Sequence, residues 1–267
     1  MLFYIVRRLL TTIPVMLIVA LVVFSLLYFA PGDPVAAIAG DQATAEQIAA
    51  IRNSLGLDRP YWVRFGEWLW NVARGDLGTS LISNVPVTRL IAQRLEPTLS
   101  LMVVTLVGAV LVATPLAVVA AWKRGSTIDR LVMGLGVLGF SMPVFVVGYV
   151  LAYIFAIQLR WLPVQGYTPL SSGVLPWLSS LLLPAIALGT GYVALIARIG
   201  RAAIVEVLHQ DYIRTARAKG ASSFAVLYKH ALKNAAVPMV TVVGIGVGLL
   251  IGGAVVTESV FAIPGIG

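Results

Sequence analysis

Residues 98–122 read TLSLMVVTLVGAVLVATPLAVVAAW, with no charge between Glu96 and Lys123. Hydrocarbon offers the backbone no hydrogen-bond partners, so an apolar run of this length reads as a helix of about 20 residues crossing a bilayer. One charge at its centre would cost about 2.5–3.5 kcal/mol, whereas each Leu, Ile, Val or Phe returns only about 0.3–0.6. Four further charge-free intervals hold runs of the same kind: Arg8 to Asp33, Arg130 to Arg160, Arg160 to Arg198 and Lys233 to Glu258. The predicted spans are 9–30, 98–122, 131–157, 178–197 and 238–260. The expected fold is all-α, a polytopic membrane protein with one transmembrane domain over 1–267.

Composition agrees. The 267 residues are 59% hydrophobic and 11% charged, and mean hydropathy is +0.94. Soluble domains carry about 25% charged residues, so lipid is the expected solvent. There is no cysteine, and the two histidines, His209 and His230, share one polar segment. A disulfide framework and a thiolate metal site are excluded, and no metal site is expected. The first run, with Arg7 and Arg8 before it and Ala37-Ile38-Ala39 after it, has features of a signal peptide. Its length exceeds the 7–15 residues typical of a signal core, which favours a retained span.

The net charge of +8 is unevenly placed. The amino terminus, the 123–130 loop and the 198–237 segment hold twelve basic residues and fall on one side. The 33–96 loop balances six basic against seven acidic residues, and Arg160 is alone in its loop. Cytoplasmic loops collect Lys and Arg, so the basic side is predicted to be cytoplasmic, amino terminus included. Five spans then end outside on FAIPGIG at 261–267, an abrupt close that predicts a sixth span beyond it.

Within the spans, Pro14, Pro115, Pro143 and Pro184 are either flexible joints or ordinary prolines of membrane helices. Gly134, Gly136 and Gly139, and on the last span Gly244, Gly246, Gly248, Gly252 and Gly253 with 244, 248 and 252 at four-residue spacing, offer faces for close helix approach, within the chain or at a subunit interface or moving seam. No ionisable residue lies deep in a span, which argues against coupling to an ion gradient and against a charged channel ring. Glu258, nearest to one, is expected at a solvated outer interface. In the 33–96 loop, helices are predicted over 44–55 and from Pro60 to Gly75. The second carries Trp62, Trp68 and Trp70, which would rest on headgroups or dock a soluble partner.

Residues 198–237 read as helix, turn, helix. The first helix should reach Lys219, with Arg214, Arg217 and Lys219 where cations suit the helix dipole. Gly220 is placed for a left-handed cap, and Ser222 or Ser223 for capping the next helix. A DNA-binding unit is disfavoured, because about 40 residues between two spans leave no room for a core. A solvated loop remains an alternative. A docking knob for a cytoplasmic protein accounts best for small residues at the turn amid orienting cations.

Residues 211–238, DYIRTARAKGASSFAVLYKHALKNAAVP, resemble the EAA loop of ABC importer permeases. The family's Glu-Ala-Ala, three variable residues and Gly fall here on Arg214, Thr215, Ala216 and Gly220, so the Glu and first Ala are replaced. PGDP at 31–34, LGLD at 55–58, GDLGTS at 75–80, SMPVF at 141–145 and ESVFAIPGIG at 258–267 resemble the B-type subunit of dipeptide and oligopeptide importers. The resemblance implies a type I ABC importer transmembrane domain in a bacterial inner membrane. It implies a coupling surface at Asp211, Arg214, Thr215, Ala216, Arg217, Lys219, Gly220, Ala221 and Ser222, seated on an ATP-hydrolysing subunit. The implied partners are a second permease subunit, two ATP-binding subunits and an external substrate-binding protein, with lipid around them and no nucleic acid. None of the four lysines follows a glycine, so a Walker A loop is absent and ATP and Mg belong to partner subunits. The chain is therefore expected to hold no catalytic residue. A gradient-driven carrier and a non-transporting scaffold are the rival readings.

Overall fold

The structure, a computed structural model, describes residues 2–29, 44, 46, 49, 52, 53, 56–80 and 83–267. The 31–34 motif and Ala37-Ile38-Ala39 lie outside these residues. The helix expected over 44–55 and the LGLD motif lie partly outside them; Glu46, Ala49, Arg52 and Asn53 are helical. The chain forms two compact units, residues 1–91 and 92–267.

The first unit contains α1 (Leu2–Phe29) and α2 (Tyr61–Ala73). Apolar side chains point outward all round α1, from Phe3 to Leu26. That is the signature of a helix built for lipid rather than for a single core-facing stripe. α2 follows Pro60, whose fixed φ suits a helix start, and is followed by Gly75 at φ +84°. Phe24 of α1 meets the rings of Tyr61, Phe65 and Trp68, and the Ser25 and Tyr61 hydroxyls lie 2.6 Å apart.

The second unit takes up most of α3 (Val87–Trp122), then α4 (Thr127–Ser141), α5 (Val144–Gln158), α6 (Val174–Leu208), α7 (Asp211–Ala218) and α8 (Ser223–Val260). Turns Ala152–Gln158 in α5 and Val226–Ala231 in α8 are π-helical. Among the described residues four helices, α1, α3, α6 and α8, are long and apolar enough to cross a membrane. The remaining predicted span, 131–157, is a pair, α4 and α5, bent by 103°. Helices outrun the apolar runs that mark them. α3 starts at Val87 rather than 98, and α6 continues to Leu208 rather than 197, because a helix carries polar turns into water while hydropathy marks only the bilayer length.

The prolines divide. The helices run through Pro14, Pro115 and Pro184. At Pro143 the chain breaks, with Met142 extended at φ −85°, ψ 128°, as the residue before a proline prefers. Ser141 Oγ donates to the carbonyl of Val137 at 2.8 Å, so the hydroxyl before the break is used locally.

α6 is the central helix, with Leu181, Leu183, Leu188 and Ile196 at most 5% exposed. Between membrane helices there is little hydrophobic driving force, and contact rests on close packing. Gly136 and Gly139 of α4 face Ala194 and Thr190, Gly189 faces Thr105 of α3, and Gly200 faces Ala117 and Met239. On α8 the glycines divide. Gly244, Gly248 and Gly252 are exposed with no neighbour within 4 Å, while Gly246 packs on Tyr192 and Gly253 on Leu188. The Tyr192 hydroxyl donates to the Gly246 carbonyl. The packing register of α8 is set by bulky neighbours on α6, not by the regular glycine spacing.

Glu258 is a correction. It is 2% exposed, because the chain after α8 folds back over it. Thr98 Oγ1 donates to Glu258 at 2.5 Å, the Gly267 amide donates at 2.8 Å, and the Ile266 amide donates to Thr98 at 2.9 Å. A solvated role for this carboxylate does not hold.

Candidate coupling surface

α6 ends at Leu208, and His209 and Gln210 form the turn into α7, so the first predicted helix of this segment is two helices. Asp211 opens α7, where a carboxylate suits the positive end of the helix dipole. Arg214 pairs with it at 3.2 Å, both well exposed, and Thr215 Oγ1 donates to the Asp211 carbonyl at 3.1 Å. The helix ends in a Schellman motif: the Ala221 amide donates to the Ala216 carbonyl (3.1 Å), and that of Gly220 to the Arg217 carbonyl (2.9 Å). Gly220 sits at φ +82°, the left-handed position that a Cβ disfavours. Ser222 then caps α8, its Oγ accepting from the Ala225 amide at 3.3 Å.

This turn is held from below and bare above. Ile213, Val226, Leu227 and Ala231 are at most 4% exposed. Leu227 and Ala231 join Ala117, Val118 and Ala121 of α3, Ile204 of α6 and Ala235 of α8 in one apolar cluster. The Tyr212 hydroxyl accepts from Asn234 Nδ2 at 2.7 Å, stapling α7 to α8. Arg214, Thr215, Arg217, Lys219, Gly220 and Ser222 are exposed, and Ala216 and Ala221 half-buried. Beside them Phe224 and Tyr228 stand exposed with ring centroids 4.4 Å apart. The structure thus gathers all nine expected residues into one short helix and its capped turn.

Sequence reasoning missed the mounting. Ile213 is a lone apolar residue in a polar helix, a weak signal in α7. It also missed the pair that fastens the neighbouring loop. Arg201 of α6 donates to Asp129 of α4 through Nε at 2.5 Å and Nη2 at 2.6 Å. The Gly125 amide adds a bond of 2.9 Å to the same carboxylate. The Asp129 side chain is 6% exposed and that of Arg201 25%. The 123–130 loop and the 198–237 segment therefore lie at one end of this unit. At the opposite end Tyr167 donates to Glu96 at 3.0 Å, and the Gly166 amide to the Phe261 carbonyl at 2.8 Å. Between α3, α4 and α6 runs a groove of about 770 Å³ whose lining, including Val107, Leu111, Val132 and Ile186, contains no ionisable side chain.

With four helices of bilayer length, an apolar bent pair and a capped, basic turn among the described residues, the comparison with known families is decisive. Residues 113–267 match the binding-protein-dependent transport system inner membrane component, and residues 1–102 match that family's N-terminal region. The chain belongs to this family of transport permeases. The permease is 53% identical over 264 residues to the probable peptide ABC transporter permease protein y4tP of Sinorhizobium fredii, covering 99% of this chain and 84% of that one. It is 42% identical to the dipeptide transport system permease protein DppB of Alkalihalophilus pseudofirmus, covering 100% and 86%. Identity to the glutathione transport system permease protein GsiC of Salmonella typhimurium is 43%, covering 100% and 85%. The permease is a multi-pass inner-membrane subunit of an ABC importer, with the type I transmembrane architecture of its family.

Proposed function

We propose that this permease imports dipeptides, oligopeptides or related small solutes, and that residues 211–222 transmit the motion of a partner ATPase to the membrane helices. Relatives named for peptide, dipeptide and glutathione transport support the solute class. The observation that carries the coupling role is the rigid, capped turn at Gly220. It is anchored on the apolar cluster shared by α3, α6 and α8 and presents cations and an aromatic pair outward. A push on this turn reaches three long helices directly. That is what a transmission needs, and a solvated loop would lack it.

In this reading the basic end, with the amino terminus, is cytoplasmic. Two ATP-binding subunits carry ATP and Mg. A second permease subunit, a heterodimer partner, completes the path, and an external binding protein delivers the solute. The chain itself performs no catalysis. Residues 1–267 form one permease domain. Replacing Gly220 by Val or Ala216 by Leu tests the assignment in the reconstituted transporter. Uptake of labelled dipeptide should collapse while ATP hydrolysis and membrane abundance persist. Normal uptake at normal abundance would remove the coupling role.

A further inference from the structure

The helix α2 has three faces. Tyr61, Phe65 and Trp68 close on Phe24 of α1. Glu67 and Asn71 form a polar exposed face, with Glu67 bonded to Arg59 at 2.7 Å. Trp62, Val63, Gly66 and Trp70 form a third, exposed and apolar, in which Trp62 is 69% and Trp70 58% exposed. At 3.6 residues per turn these three sectors are spaced about 120° apart. Among the described residues, only the first packs against another helix of the unit.

Two observations bear on the depth of this helix. The three ring contacts come from a stretch of eight residues of α2 and meet Phe24 of α1, and Arg64 also lies over that ring, 5.9 Å from its centroid. Among the described residues, α2 therefore meets α1 at the level of Phe24 and Ser25. The apolar window of α1 is Ile5–Leu26. From its midpoint to Phe24 is about 13 Å at 1.5 Å per residue, close to the half-thickness of about 15 Å of the hydrocarbon core. This contact therefore falls where acyl chains give way to headgroups, the level at which tryptophan is enriched. Near it, α1 presents exposed Val22, Val23 and Leu26, an apolar surface of the kind lipid covers. Arg74 lies 4.4 Å from the Trp70 ring centroid, a cation at the edge of that face.

We propose that α2 is an interfacial anchor: Trp62 and Trp70 seat in the lipid headgroup boundary while Glu67 and Asn71 face water. The helix then fixes the depth of α1 and gives the 56–80 region a floor on the bilayer.

The chain has no cysteine, so single spin labels at Trp62→Cys, Trp70→Cys and Asn71→Cys can be compared in the assembled transporter in lipid vesicles. Labels at 62 and 70 should collide several-fold more with oxygen than with an aqueous nickel chelate, and the label at 71 should show the reverse. Unmodified protein provides a second measurement. Lipid brominated near the headgroup should quench a fluorescence component that Trp62→Phe/Trp70→Phe lacks. Nickel accessibility at 62 and 70 equal to that at 71, with no such component lost, would overturn the proposal. So would protection of 62 and 70 that appears only when the external binding protein is added, which would make this face a protein dock.

Discussion

Gly220 carries the most specific single-residue argument. Its φ of +82° is left-handed, yet a Cβ built there would meet nothing within 4 Å. The cost of replacing it is thus conformational, about 1–2 kcal/mol, and falls on the geometry of the turn rather than on a core. This is why Gly220→Val should insert and accumulate normally while losing uptake. Asp129 is the opposite kind of residue. Removing it leaves the Arg201 guanidinium facing a cavity, three-quarters shielded. Asp129→Ala should lower stability by about 3 kcal/mol, read as a fall in the unfolding temperature of the purified permease. An unchanged value would show that the pair is merely a surface contact. These two residues also mark what a sequence makes legible. The cap at Gly220 and Ser222 is written within a dozen residues and was readable from spacing. The Asp129–Arg201 pair joins positions 72 apart, and nothing local distinguishes Arg201 from the six other basic residues of its segment.

At the scale of elements, hydropathy located the spanning helices because hydrocarbon imposes the same demand on each of them. It could not locate their faces. In α8 the regular series Gly244, Gly248, Gly252 invites a packing assignment, yet the contacts belong to Gly246 and Gly253, where Tyr192 and Leu188 need room. The distinction is testable with paired substitutions. Gly246→Ala forces a Cβ into the Tyr192 ring and should destabilise by about 1–3 kcal/mol. Gly248→Ala meets open space and should be neutral or stabilising, by up to about 1 kcal/mol, the helix preference of Ala over Gly. Equal losses at both positions would contradict the packing described. Prolines follow the same rule. Four share one chemistry, but only Pro143 bends its helix pair, by 103°. Glu258 was misjudged for a related reason: its place near the end of a span said nothing of the chain folding back over it.

For the whole molecule, the second unit has a basic end and an opposite end. At the basic end the 123–130 loop, the end of α6, α7 and the start of α8 are tied together by the Asp129–Arg201 pair, the Tyr212–Asn234 hydrogen bond and an apolar cluster of α3, α6 and α8. That arrangement is what a cytoplasmic motor could grip, and the transport reading depends on the end it occupies facing inward. Lys219 stands exposed beside Gly220, and the chain offers no competing thiol. The decisive measurement is therefore the labelling of Lys219→Cys by a membrane-impermeant maleimide. The account predicts no reaction in intact spheroplasts and full reaction in inverted vesicles stripped of ATPase subunits. Labelling of intact spheroplasts would place the turn outside the cell, away from any ATPase, and would contradict it.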